Sequence, residues 1–437
     1  MTAAALVLPL LGVAAGASPT HADPAVRWAS PTGSGSDCTQ DVPCALDIAL
    51  APSSVQTGDE VVVEPGTYSV VGLAIDKAIS VHGQAGEPVP TINTSGLLGV
   101  NIAAAVTLSD LNLVASGVVG LHLNGAGSVV QRVTSRVTDS SGDACSITAS
   151  VLVRDTVCWA TGANSSGVVT SLGTNDRTID VTLRNVTAVG SGPGLSFAVA
   201  GTEVVLDVDA KNVIAESTHP GRADVRAAAS QGAAVHITLT NSSYETEEET
   251  VQDGGLAATV TDPGSGTNQT APPLFVDAFH GDFHQADGSP TLDAGVLDAS
   301  TGATDFEGDA RALRATSACP ALPDIGADER ATNLSCDPPA TTTGGPSGPE
   351  TTLTRTPAKR VATTKRRATV RFAFSSSAAG TFECSLDGRP FAGCASPARA
   401  RLGPGRHTFA VRAVSVSGVA DPTPASVAFR VRVKRSP

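Results

Sequence analysis

Asp207 and Asp209 stand two residues apart in the run VVLDVDAK, and on an extended strand that spacing puts both carboxylates on one face. Two carboxylates about 5 to 9 Å apart can divide acid and base roles at a glycosidic bond, and positions i and i+2 of a strand fall near the lower end of that range. Glu203 lies a little earlier in the same pattern. In a chain of net charge -13, however, two solvent-facing acids need no chemical role, and they are assigned none. His280 and His284 are four apart, but Gly281, Asp282 and Phe283 between them suit a loop rather than a zinc-binding helix. His219, beside Pro220, has no ligand spacing either. Asp287, Asp293, Asp305, Asp309, Asp324 and Asp328 supply the hard oxygen atoms that calcium takes, yet none sits in an Asp-x-Asp-x-Asp-Gly loop, and they read as capping turns.

The basic residues fall into two groups. Arg132, Arg154 and Arg184 lie in strand-like runs. Lys359, Arg360, Lys365, Arg366, Arg367 and Arg371 form a cluster that could meet an anionic glycan, a wall polymer or lipid, but that reads more simply as a solvated linker face. No aromatic residues interleave with these charges as nucleic-acid binding would need. No glycine-rich turn opens a helix as a phosphate loop would, so nucleotide chemistry is excluded. The sequence therefore assigns no catalytic residue, no cofactor and no metal ligand.

What must position these residues is a repeat. VTLSDLNLVAS from Val106, VVQRVTSRVTD from Val129, SVLVRDTVCWA from Ser150, VTLRNVTAVG from Val181, VVLDVDAKNVIAE from Val204 and VHITLTNSSYE from Val235 share one form: an alternating aliphatic run, a polar hinge and a second short run. With Asp110, Ser135, Asp155, Asn185, Asn212 and Asn241 as hinges, the spacings are 25, 20, 30, 27 and 29 residues. Units that short hold three strands and their bends but no crossover helix, which predicts six to eight stacked parallel coils. Asn and Asp suit the bends because they tolerate left-handed backbone and can hydrogen-bond to it. Val181, Leu183 and Val186 are predicted to point inward.

Residues 26–50 are expected to cap the open first coil, with a short helix burying Ala45, Ile48 and Ala49. The polar stretch YETEEETVQDGG from Tyr244 weakens the strand pattern, and residues 271–330 are expected to fold as loops over the opposite open end. A Thr-, Gly- and Pro-rich linker, residues 331–352, leads to residues 353–437, where Phe372, Phe374, Phe409, Val411, Phe429 and Val431 alternate as the inner faces of two small sheets. Residues 351–437 carry 16 Lys plus Arg against 3 Asp plus Glu, so an acidic body bears a basic tail. Eight cysteines are expected to pair with sequence neighbours: Cys38 with Cys44, Cys145 with Cys158, Cys319 with Cys336, and Cys384 with Cys394. Residues 1–25, apolar and then small and polar up to Ala22, read as a secretion signal, and no later stretch is apolar enough to cross a membrane.

The segment GDEVVVEPGTYSV and the repeats resemble the right-handed parallel β-helix superfamily of pectin lyases, polysaccharide hydrolases and non-enzymatic surface proteins. That resemblance implies an all-β fold, a right-handed single-stranded parallel β-helix (pectin-lyase-like) followed by a small Ig-like β-sandwich. Lyases of this superfamily set an arginine or lysine base beside a calcium-binding aspartate cluster; Arg132, Arg154 and Arg184 lack a matching set of three carboxylates. GSPTLDAG at Gly288, DFEGDAR at Asp305 and PDIGADE at Pro323 resemble the C-terminal end of secreted bacterial choice-of-anchor Q proteins, and TFECSLDGRPFAGC with HTFAVRAVS resembles an Ig-like module of actinobacterial extracellular proteins. The function implied is a monomeric, secreted or envelope-associated, non-enzymatic scaffold or binding protein contacting an extracellular polysaccharide or cell-wall polymer. The alternative is a polysaccharide lyase or glycoside hydrolase acting across the β-helix face.

Overall fold

A computed structural model describes residues 24–138, 141–173, 175–263, 267–311, 322–330, 351–377, 380–415, 421 and 424–433. The expected secretion signal lies almost wholly outside them, as does the expected Cys319–Cys336 pair. The other three cysteine pairs are disulfides between the expected neighbours.

Strand pairing defines a parallel β-helix. One large sheet runs through ten strands from Val26–Ala29 to Ala257–Thr261, with three further strands beside that path, and a second sheet of eight strands faces it. Every pairing within these two sheets is parallel. The hand is the right-handed one that parallel connections take. Ten layers, against the six to eight expected, at about 4.8 Å give a rod of roughly 43 Å.

The hinge explains why the large sheet is two faces fused. In the strand Thr107–Ala115, residues before Asp110 pair with Ser80–Gly83 and residues after it with Thr91–Thr94. Asp110 has φ 58°, and the same left-handed bend recurs at Asp155, Asn185, Asn212 and Asn241. The remaining hinge is Arg132 (φ 51°), not Ser135, which makes the spacings 22, 23, 30, 27 and 29 residues. Ser135 is buried, and its hydroxyl donates to the Ala144 carbonyl inside the coil. Arginine has no local preference for such a bend; what holds it is a fork of bonds from Nε (2.6 Å) and Nη2 (2.8 Å) to the carboxylate of Asp110 one coil below.

The interior is one continuous aliphatic core in which Val181, Leu183 and Val186 are buried as expected. Cys145 and Cys158 cross-link the two sheets within it. The single-turn helix Leu46–Ala49 caps the first coil through Leu46 and Ala49; Ile48, expected to point inward, is exposed. At the far end the acidic run itself forms the last strand of the second sheet, Glu247–Gln252. Charges on an unpaired edge discourage edge-to-edge association.

Of residues 271–330, expected over that end, the described stretches 275–311 and 322–330 lie instead along the outside of the rod beside the hinge row, where Asn185, Asn212 and Asn241 donate to the carbonyls of Asp324, Val296 and Ala294. Phe275 and Phe283 meet Trp159 in a small core of their own. Contact is close enough to need glycine: a Cβ at Gly281 would sit 2.1 Å from Trp159, and one at Gly302 1.9 Å from the Asp155 carboxylate.

The final domain is a sandwich of a three-stranded sheet, Thr351–Arg355, Ala368–Ser376 and Ala398–Leu402, and a five-stranded one. Its aromatic core includes the expected phenylalanines, with Phe372 stacked on Phe409 at 3.8 Å.

Candidate functional site

Three surfaces bring charged residues together. The first is the outer face just before the hinges, where Gln131, Arg154, Arg184 and Lys211 stack in successive coils. Stacking three cations at strand spacing is unfavourable unless anions intervene. Here they do. Arg184 sends Nε to Asp298 Oδ2 (2.8 Å) and Nη2 to Asp209 Oδ2 (2.6 Å), Lys211 Nζ reaches the same Asp298 oxygen (2.9 Å), and Arg154 binds Gln131 and the Ser300 carbonyl. Burial resists charge on Asp298, but Lys211, the Ser300 N–H and Arg184 outweigh it and hold the carboxyl well below the ordinary range.

One step along the hinge row, Asp155 and Arg311 form a fully buried pair at 2.6 Å, and Arg311 also donates to the Ala327 carbonyl and approaches Glu329. Burial pushes the Asp155 carboxyl up against the pull of Arg311. The hinge that sequence reading missed, Arg132, belongs to this column of alternating charge: Asp110, Arg132, Asp155, then Arg311 from the returning segment.

Asp207 and Asp209 do share the outward face of one strand, as expected, but each has a partner: His236 at 2.8 Å for Asp207 and Arg184 for Asp209. Glu203 sits in the preceding turn at φ 57°, off the strand. Asp180, which sequence reading passed over, stands directly across from Asp207. Across from these acids on the neighbouring strands stand Thr182, His236 and Thr238, with no phenylalanine, tyrosine or tryptophan among them.

The aspartates of residues 287–328 behave as turn caps. Asp305 accepts the N–H groups of Glu307, Gly308, Asp309 and Glu329; Asp324 accepts those of Asp293 and Arg330; Asp328 accepts that of Gln285. Asp287 is exposed beside Arg330, and Asp309 points to solvent. Burial and the charge of Glu329 raise Asp324 to about 7. His284 lies between Asp282 (2.6 Å) and Glu307 (2.8 Å); burial opposes its charge, but these bonds push it up to about 9. His280 pairs instead with Asp277, so the two histidines do not converge. Among the described residues, no group of three or more His, Cys, Asp or Glu is arranged to hold a metal ion.

The second and third surfaces belong to the sandwich, and they divide the basic cluster that the sequence presents as one. Arg360, Arg430 and Arg406 are directly opposed across three strands of the five-stranded sheet. They seat on the end of the β-helix: Arg406 meets Glu216 (3.1 Å) and Asp224 (3.1 Å), Arg430 meets Glu245 (3.4 Å) and the His219 carbonyl (3.2 Å), and Arg360 meets Glu245 (3.4 Å). Asp224 is buried and also accepts N–H groups of Ser217, Glu245 and Thr246, so it ties the last coils together before taking Arg406. Burial raises Glu216 despite Arg406.

On the three-stranded sheet, by contrast, Arg371 lies opposite Arg399 and Thr369 opposite Arg401, with Arg355 opposite Ala373. All four arginines are exposed, and Lys365, Arg366 and Arg367 are exposed in the adjoining turn. This segment is therefore strand and turn, not linker. Of the acids described in the domain, Glu383 is held by Arg412, Asp387 by His407, and Asp421 accepts the Thr351 N–H.

No family model matches the chain, and no curated protein matches it. Among solved structures, it is similar to one described as the crystal structure of pectate lyase Pel9A, with 12% identity, 71% of this chain and 97% of that chain covered, and a TM-score of 0.43. The parallel pairing defines the class on its own: a β-helix protein bearing a small β-sandwich.

Proposed function

We propose that this protein is a secreted or envelope-associated, non-enzymatic scaffold that contacts an extracellular glycan or wall polymer. One observation carries the reading: the basic groups stacked on the β-helix are engaged by the returning segment. Asp298 takes up Arg184 and Lys211, and Ser300 takes up Arg154, so no basic group in that stack is left to abstract a proton. Asp209 is likewise spent on Arg184. The signal-like N-terminus and the disulfides support life outside the cell.

A polysaccharide lyase or hydrolase is the second reading, favoured by Asp180 standing across from Asp207 on an open face. The poverty of aromatic rings there speaks against it, because sugar rings commonly stack on such side chains. Incubating the mature protein with a panel of neutral and uronic-acid polysaccharides, with calcium added or chelated, separates the two. The scaffold reading expects no new reducing ends and no unsaturated products. Products that vanish in D207N would establish the enzyme instead.

A further inference from the structure

The outward side of the three-stranded sheet carries Arg355, Arg371, Arg399 and Arg401 among Thr354, Thr369 and Ser375. From this arrangement we infer that the face is a binding site for a linear phosphate-ester polymer. The inference rests on the non-enzymatic binding reading and names its partner.

Like charges directly across a strand pair destabilise a sheet, yet Arg371 and Arg399 are so placed, with none of the described acids of the domain beside them. On the opposite sheet an equivalent arginine row is balanced by carboxylates of the β-helix. The open row lacks that balance among the described residues, so an external anion is the natural complement. Its chemistry narrows which anion. Guanidinium forks bind oxyanions in bidentate fashion, and interleaved hydroxyls add donors of the kind that phosphate oxygens accept. Arg371 and Arg399 are paired across adjacent strands, so both forks can reach one anion, and a phosphodiester offers its tetrahedrally arranged oxygens to two donors from different directions where a carboxylate offers two coplanar ones. Three strands span roughly 10 Å, and the basic turn Lys365, Arg366 and Arg367 extends the positive surface beyond them. Several successive charges of a chain-like ligand can therefore be met at once.

The same positions speak against other partners. The outward side chains include no aromatic ring on which a neutral sugar or a nucleobase would stack. Nor do they include a large apolar group to enter a bilayer.

The test uses the full mature protein and titrates, at matched charge concentration, poly(glycerol phosphate), polygalacturonate, duplex DNA and anionic phospholipid vesicles. The phosphate polymer is expected to bind tightest. R371Q/R399Q should weaken it by about tenfold or more, R371K/R399K should recover only part, and R132Q, which removes a charge from the β-helix hinge row, should have no effect. An unchanged melting temperature for R371Q/R399Q separates a lost site from a lost fold. No binding of the phosphate polymer, equal binding of all four ligands, a preference for DNA or vesicles, or indifference to R371Q/R399Q would overturn the assignment. Chromatography of the same mixtures keeps the two readings apart: cleaved polymer sinks the scaffold reading whatever the affinities, whereas intact but unbound polymer sinks this one alone.

Discussion

The sandwich carries two arginine rows of similar geometry in opposite circumstances. Arg360, Arg430 and Arg406 pair with Glu245, Glu216 and the buried Asp224 of the β-helix, and Arg371 and Arg399 face solvent. A cross-strand row of like charge is costly in either place. Where the chain supplies the anions, the row joins the sandwich to the β-helix; where it does not, the row is available to something else. Position relative to the β-helix, not residue type, decides which role an arginine has.

The contrast can be sharpened by removing arginines from each setting. Arg311→Met should have the largest effect, because it leaves Asp155 buried and unpaired: about 3–5 kcal/mol of stability lost, read by chemical denaturation. Next comes Arg406→Gln, which strips the buried Asp224 of its cation and should cost about 2–5 kcal/mol. Calorimetry should then show the sandwich melting apart from the β-helix. A single unshifted transition would mean the joint is not ionic.

The returning segment should respond to pH in both directions, which hydrogen exchange at the Gly326 amide, bonded to the Asn212 carbonyl, can follow. His284 is raised from its ordinary 6.5 to about 9, so its contribution is full below 6.5 and is lost as pH climbs to about 9. Asp324, an acid raised to about 7, favours its protonated form and also contributes less as pH rises from about 4 to 7. Asp298 is depressed, so its contribution is present above about 4 and lost as pH falls further. Protection of Gly326 should fall at both extremes, and in His284→Gln the loss between about pH 7 and 9 should vanish while that between about 4 and 7 remains. Smallest of all, R371Q/R399Q should change stability by no more than about 0.5 kcal/mol, since both residues are exposed.

Much of the β-helix was legible because its signals are local. Alternation marked Val181, Leu183 and Val186, and Asn or Asp marked five of the six bends. Arg132 escaped because its left-handed backbone is held by Asp110 in another coil, a partner that no local preference announces. The strand Glu247–Gln252 was obscured by charges that suit an edge rather than an interior. The outer position of residues 275–311 and 322–330, within the expected cap 271–330, was not legible because their anchors, Asn185, Asn212 and Asp155, read as hinges alone. The two arginine rows were hidden for a topological reason. Arg360, Arg406 and Arg430 are far apart in sequence and adjacent only once strands pair, whereas Arg360 and Arg371, close in sequence, end on opposite sheets.

The most direct test of the division between matched and unmatched arginines is the salt dependence of binding to poly(glycerol phosphate). Wild-type affinity should fall linearly on a logarithmic salt scale, and R371Q/R399Q should flatten that slope by roughly 0.7 for each phosphate contact removed. A slope that is flat in the wild type, or unchanged in the variant, would contradict the account.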